Sequence, residues 1–224
     1  MISHVHKCIF IHVPKCGGTS LEAYLREHAS ALGHLPEPGL DLTLRREGLA
    51  QVLNRHPAYF VFTFVRHPFD RLVSTWRHSL RGVGPYYDRP VRDLSLAEYV
   101  RIAAEGWVAE QSAFDRYHLL PQVAFIPGPS QRSLFGVPLQ PEVTCTFLGR
   151  FERLDGDFRE VCRRLGIAEH ALPRLQSAPQ EAGDRQSHWS EHYDAATIRL
   201  VEDLYRDDMA AFGYEPLGDA RTPA

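Results

Sequence analysis

The chain has 224 residues, 44% of them hydrophobic and 24% charged, with a formal net charge of −3. That length suits one domain with a substantial core, and the charge balance excludes a broadly basic nucleic-acid-binding domain. Cys8, Cys16, Cys145 and Cys162 show neither metal-ligand spacing nor a dense disulfide framework.

No stretch approaches the ~20 apolar residues of a membrane span. The apolar run near the start is short and carries His12 and Lys15, unlike a signal peptide. The expectation is a soluble protein of a reducing, cytoplasmic compartment. Of the 25 basic side chains only Lys7 and Lys15 are lysine. A chain that otherwise uses arginine keeps a compact ammonium at Lys15.

The first predicted strand is 8–13, apolar and rich in β-branched residues, bounded by Pro14. Lys15, Cys16, Gly17, Gly18, Thr19 and Ser20 follow, and then Leu21, Tyr24 and Leu25 at helical spacing. A strand, a glycine loop and a helix N-terminus in that order make an anion cradle of converging N–H groups. Glycine lets the backbone approach an anion closely. Lysine precedes the glycines here, whereas in the Walker sequence it follows them. The helix is expected over 20–31, stopping near Gly33. Cys16 sits inside the loop, where a passive role is expected over a reactive one.

Residues 34–39 read as a loop, and 49–53 as a short helix that stops before Pro57. The run 59–65 is aromatic and β-branched throughout, as in a buried strand of a parallel sheet. Arg66 and His67 follow, with Pro68 placed as a first helical residue and Leu72, Val73 and Trp76 on a core-facing stripe. A charged residue again lies at the C-terminal end of a strand, where open α/β sheets bind ligands. Arg71 is expected at the helix surface and Trp76 in the core.

A loop is expected over 82–93, then a helix capped by Ser95 and Glu98. A short strand is expected at 123–126, a loop over 127–141 and another strand at 143–148. Asp155 is placed as the cap of a helix ending at Gly166, and 172–189 reads as a long polar loop. Asp194 caps a last helix carrying Ile198, Val201, Leu204, Tyr205 and Phe212, closed by Gly213. Residues 1–217 are read as one domain and 218–224 as a frayed tail. Alternating strands and helices imply an α/β, P-loop-like three-layer fold, a central mostly parallel sheet flanked by helices.

Pro14-Lys-Cys-Gly-Gly-Thr-Ser20 and Arg66-His-Pro-Phe-Asp-Arg-Leu-Val-Ser-Thr-Trp76 together resemble the two nucleotide motifs of sulfotransferases that use 3′-phosphoadenosine 5′-phosphosulfate (PAPS). The carbohydrate branch is the nearer, with its uronyl 2-O-type members and bacterial relatives. His118-Leu-Leu-Pro-Gln122 resembles that branch's His-x-x-Pro-Gln segment, and Gly149-Arg-Phe-Glu-Arg-Leu154 its Gly-x-Tyr/Phe-Glu-x-Leu segment. The resemblance implies PAPS as sulfonate donor, no metal, and a hydroxyl acceptor on a saccharide. It implies that Lys15 and residues 16–20 hold the 5′-phosphosulfate and that Arg66 and Ser74 hold the 3′-phosphate. Arg185, in the loop at 174–189, is expected on that same side. Gly33-His34 resembles the Gly-His that supplies the catalytic base in the uronyl enzymes, so His34 is the first candidate base and His118 the second. His12 is read as a hydrogen-bonded core histidine. A P-loop nucleotide kinase or NTPase, and an inactive nucleotide-binding protein of the same fold, are the alternatives.

Overall fold

The structure, a computed structural model, describes residues 1–28, 32–33, 42–80, 94–105, 117–129, 131–173 and 188–218, the backbone alone at 32–33 and 42–47. It divides into two units, one of Met1–Arg66 with Gln122–Ala178, the other of His67–Pro121 with Pro179–Ala224.

In the first unit, Cys8–Ile11 is buried at every position and forms β2, while Phe60–Val65 forms β4, buried except at its first residue. They pair in parallel, with Cys8 opposite Phe60 and Ile11 opposite Thr63. Phe147–Arg150 (β7) pairs in parallel with β4 on its other side, so that Val65 lies opposite Arg150. Ile2–Ser3 (β1) runs antiparallel to β2 and to Leu32–Gly33 (β3), giving the order β3-β1-β2-β4-β7. The expected α/β class with a mostly parallel sheet flanked by helices is what forms. A separate two-stranded ribbon joins Ser133–Leu134 (β5) to Val137–Pro138 (β6).

Two helices of this unit bury apolar stripes. Gly18–His28 (α1) buries Leu21, Tyr24 and Leu25, and Leu154–Leu165 buries Phe158, Val161, Cys162 and Leu165. The Tyr24 and Phe158 rings meet edge to face at 5.0 Å, a geometry that favours the ring quadrupoles. Leu42–Arg55 (α2) is longer than the short helix expected around 49–53. Because β2, β4 and β7 run in parallel, the segments that leave their C-terminal ends emerge on one edge of the sheet. Those segments are 12–20, Arg66 and 151–153.

The close spacing of β4 and β7 depends on Gly149. A Cβ there would lie 2.3 Å from Cε1 of Phe64, its register partner. Gly149→Ala is therefore an overpacking substitution, expected to cost about 2 kcal/mol and to lower Tm by roughly 4–8 °C in a calorimetric scan.

Several boundaries differ from expectation. Residues 122–125 form a 3-10 turn, Gln122–Phe125, rather than a strand. Pro121 and Pro127 flank it without backbone donors, and β7 takes the place beside β4. The strand expected at 143–148 runs from Phe147 to Arg150. Gly33 lies in a strand, β3, and α1 is described over Gly18–His28. Asp155 does not cap its helix: it lies in the first turn of Leu154–Leu165, whose N-cap is Arg153 with no side-chain cap bond, and the helix ends as expected on a left-handed Gly166 with φ 65°.

The second unit is helical. Pro68 opens Pro68–Leu80 (α3), and Leu96–Ala104 (α4) carries the expected capping box of Ser95 and Glu98. Arg71 is not a surface charge. It is 1% exposed, its Nη1 and Nη2 donate to the carbonyls of His118 (3.1 Å) and Leu120 (2.7 Å), and it faces the Tyr205 ring at 5.1 Å. The Tyr205 hydroxyl donates to Leu119 O at 3.0 Å. Buried carbonyls need partners, and a guanidinium supplies two donors at once. Trp76 is half-buried, its indole N–H donating to Leu94 O at 2.8 Å. Asp194 caps the last helical stretch, which breaks at Tyr205 into Ala195–Leu204 and Arg206–Phe212 before a left-handed Gly213.

Candidate functional site

The site is built from the ends of three parallel strands of the first unit. After β2 the chain turns through Lys15, whose φ is +66°, and Gly17, whose φ is +83°. A non-glycine residue in the left-handed region is uncommon. Gly17 O accepts from the amides of Ser20 (3.1 Å) and Leu21 (3.2 Å), which closes the first turn of α1. The amides that precede this turn have no intrahelical acceptor by construction, and the helix dipole adds positive potential there.

The two glycines have different reasons. Gly17 needs its positive φ, and a Cβ on it would lie 3.1 Å from Leu154 Cδ2 and 3.4 Å from Phe151 Cδ2. Gly18 has no room for a side chain, since a Cβ would sit 2.3 Å from His12 Nε2. At Gly18 the requirement comes from packing of the His12 ring against the first turn. Approach of an anion is not what removes its side chain.

His12 is held in turn. Its Nδ1 lies 2.9 Å from Glu22 Oε1, and its ring stacks on Phe10 at 6.0 Å. Burial pushes the Glu22 carboxyl up, but the His12 hydrogen bond and the cations around it, Arg26 among them, outweigh that and leave it below the usual carboxylate range. An ionised carboxylate only accepts. The proton of the pair therefore sits on Nδ1, and the second nitrogen faces the turn at Gly18.

Arg66 follows β4 and reaches the loop. Its Nη1 donates to Lys15 O at 3.1 Å, and its guanidinium carbon lies 3.9 Å above the Phe151 ring, within cation–π range. Gln122 grips the Arg66 backbone from both sides. Its Oε1 accepts the Arg66 N–H at 2.9 Å and its Nε2 donates to Arg66 O at 2.9 Å. The same Oε1 accepts the Cys16 thiol at 3.3 Å. Cys16 is 1% exposed, which fits the passive role expected of it. Burial likewise pushes the thiols of Cys8 and Cys162 up to about 11 and that of Cys145 to about 12. All four cysteines are free.

Lys15, Cys16, Gly17, Gly18, Thr19, Ser20 and Arg66 are thus brought together in the first unit. Ser74 is half-buried on α3 and His118 half-buried in a helical turn, both in the second unit, where the His118 ring stacks on His78 at 5.9 Å. His34 and Arg185 lie outside the described residues. Glu22, Gln122 and Phe151 are site residues with no role assigned from sequence. Gln122 and Phe151 stand within the two segments that carried the wider resemblance, which was the available signal for them.

A family model described as "Sulfotransferase family" matches residues 1–215. The chain belongs to the sulfotransferase family. Among curated proteins it is similar to carbohydrate sulfotransferase 14 of Danio rerio, 22% identical over 99% of this chain and 63% of that one. It is similar also to carbohydrate sulfotransferase 14 of Homo sapiens, 22% identical over 96% of this chain and 59% of that one. The chain spans about three fifths of the length of these relatives. Among solved structures, a sulfotransferase from Alicyclobacillus acidocaldarius is 18% identical, with a TM-score of 0.47, covering 91% of this chain and 97% of its own. No helix among the described residues of this sulfotransferase-family chain is long and apolar enough to cross a membrane.

Proposed function

We propose that the protein transfers a sulfonate group from PAPS to a hydroxyl acceptor, a saccharide, in the cytoplasm. The observation that carries this reading is the junction of the two nucleotide motifs. Arg66 donates to the carbonyl of Lys15 at 3.1 Å, so both motif cations stand at the C-terminal edge of two adjacent parallel strands. One anion would need only the loop. A second cation built onto the same edge suits a nucleotide with phosphates at both ends. The family match supports sulfonate chemistry over a kinase, the names of the curated relatives support a carbohydrate acceptor, and the four free thiols support a reducing compartment.

In this reading the loop amides, the hydroxyls of Thr19 and Ser20, and Lys15 bind the 5′-phosphosulfate. Arg66 and Ser74 bind the 3′-phosphate, with Arg185 added from the loop at 174–189. The acceptor oxygen forms a bond to sulfur as the bond from sulfur to the bridging oxygen breaks. Adenosine 3′,5′-bisphosphate leaves, and the hydroxyl proton passes to a histidine. Positioning and charge stabilisation supply most of the acceleration, as in phosphoryl transfer. His34 and His118 are candidate bases from the sequence. His12 joins them and is preferred, because a carboxylate orients it beside the loop, which is the arrangement of an activated base.

The test is a thermal-shift comparison followed by transfer assays. A ligand at ~100 times its Kd stabilises by about 2.7 kcal/mol. Adenosine 3′,5′-bisphosphate is therefore expected to raise Tm by several degrees, and ATP with Mg²⁺ by much less. Equal or reversed shifts overturn the assignment of the donor. Absence of transfer from PAPS to every hydroxyl in an acceptor panel leaves a binding protein.

A further inference from the structure

We infer that Gln122 is a positioning residue that sets the spacing between the two anion ends of the site, and with it the preference for a nucleotide phosphorylated at both the 3′ and 5′ positions. This rests on the reading of the site as one for a doubly phosphorylated nucleotide.

Gln122 is 0% exposed. A primary amide is the one neutral side-chain group that offers a good acceptor and a good donor on adjacent atoms. Here both face a single residue, since Oε1 takes the Arg66 N–H and Nε2 gives to Arg66 O. The side chain thus does for Arg66 what a neighbouring strand would do, just past the end of β4. Its Oε1 also takes the Cys16 thiol, and Cys16 is the residue after Lys15. The Arg66 guanidinium closes the path by donating to Lys15 O. The circuit runs from Lys15 through Cys16, Gln122 and Arg66 back to Lys15. Every link is a hydrogen bond or a peptide bond, and Cys16 and Gln122 are buried. Buried polar networks of this kind hold one arrangement, because a broken link leaves an unsatisfied group out of water.

Other side chains fail this geometry for stated reasons. Glutamate loses the donor to Arg66 O. Asparagine is one methylene too short to reach both Cys16 and Arg66. Without Gln122, Arg66 keeps its bond to Lys15 and its stacking on Phe151, but its backbone is no longer tied to the loop. The cation for the 3′-phosphate is then free to shift relative to the cradle for the 5′ end.

The experiment measures the affinities of adenosine 3′,5′-bisphosphate and of AMP, which lacks the 3′-phosphate, by calorimetric titration of the full chain. It compares wild type with Gln122→Ala, Gln122→Glu, Cys16→Ala, Arg66→Ala and the Gln122→Ala/Arg66→Ala double variant. Wild type is expected to favour the bisphosphate strongly. Gln122→Ala is expected to cut that ratio at least tenfold while AMP binding changes little, and to cut it no further once Arg66 is gone, the signature of coupled residues. A purely structural role would lower both affinities together and leave the ratio intact. That result, in a folded variant, overturns the inference and spares the site assignment. A wild-type protein with no preference for the bisphosphate overturns the site assignment itself. If Gln122→Ala does not fold, Cys16→Ala removes a single link of the circuit and is judged on the same ratio. A lowered ratio then supports the inference, and an unchanged one overturns it.

Discussion

Lys15→Ala is expected to lower kcat for sulfonate transfer by about 10²–10³-fold, the usual cost of removing one group that stabilises developing charge, with a much smaller effect on the Kd for the intact donor, PAPS. The asymmetry follows from when the charge appears. In the ground state the bridging oxygen is shared between sulfur and phosphorus, and its full charge develops only as the S–O bond breaks. An ammonium there acts mainly on the transition state, and such interactions raise kcat and leave ground-state affinity nearly unchanged. Lys15 is held for such a role. Its φ of +66° fixes where the side chain leaves the loop, and its carbonyl is tied to Arg66. Lys15→Arg keeps the charge, but a planar guanidinium cannot replace a compact ammonium at one oxygen, and only partial recovery is expected. A Lys15→Ala enzyme with normal kcat and a raised KM would show that Lys15 only binds the donor, and the proposed charge role would fall. The loop turn itself survives this substitution, because Gly17 O still accepts from Ser20 and Leu21.

What the sequence made legible was local. The cradle at 15–20 was readable because a β-branched run, two glycines and two hydroxyl residues occupy consecutive positions. The caps at Ser95 and Asp194 were readable because each joins residues three apart. Contacts between distant segments were not readable. Gly18 looked like a place for an anion, yet its missing side chain is explained by the His12 ring six positions earlier, a contact that exists only once strand and helix have packed. Gln122 stood just ahead of the strand expected at 123–126, where Val123, Phe125 and Ile126 are apolar. Its amide turns to Arg66, 56 residues away, which no local pattern records. Arg71 illustrates the same limit from the other side. Helical spacing put a charge on a surface, while the carbonyls of His118 and Leu120 gave it partners in the interior. The mostly parallel sheet was legible from β4, where six apolar or buried residues in a row leave no polar face for solvent.

The proton acceptor is decided by a comparison of three variants. His12→Ala is expected to lower kcat/KM by ~10²–10⁴-fold, the contribution of a positioned general base, while adenosine 3′,5′-bisphosphate still binds. Glu22→Gln keeps the shape of the pair but replaces an acceptor-only carboxylate with a neutral amide. It should cost less than His12→Ala. The reasoning is that a ring donating from Nδ1 to Glu22 has its basic lone pair on the other nitrogen, on the side of Gly18 and the loop. Retained nucleotide binding matters to the argument, because the His12 ring also packs the first turn of α1, and a collapsed cradle would lower both quantities. His34→Ala and His118→Ala serve as the competing cases. Should His34→Ala alone bring that loss, the base lies in the segment following β3, and the pair of His12 and Glu22 serves only to pack the loop. Should His118→Ala do so, the buried Arg71 and Tyr205 acquire a function, since their three hydrogen bonds to the carbonyls of residues 118 to 120 hold that histidine in place. Each outcome assigns the proton to one histidine, and the order of losses among the three variants shows which carboxylate or carbonyl framework orients it.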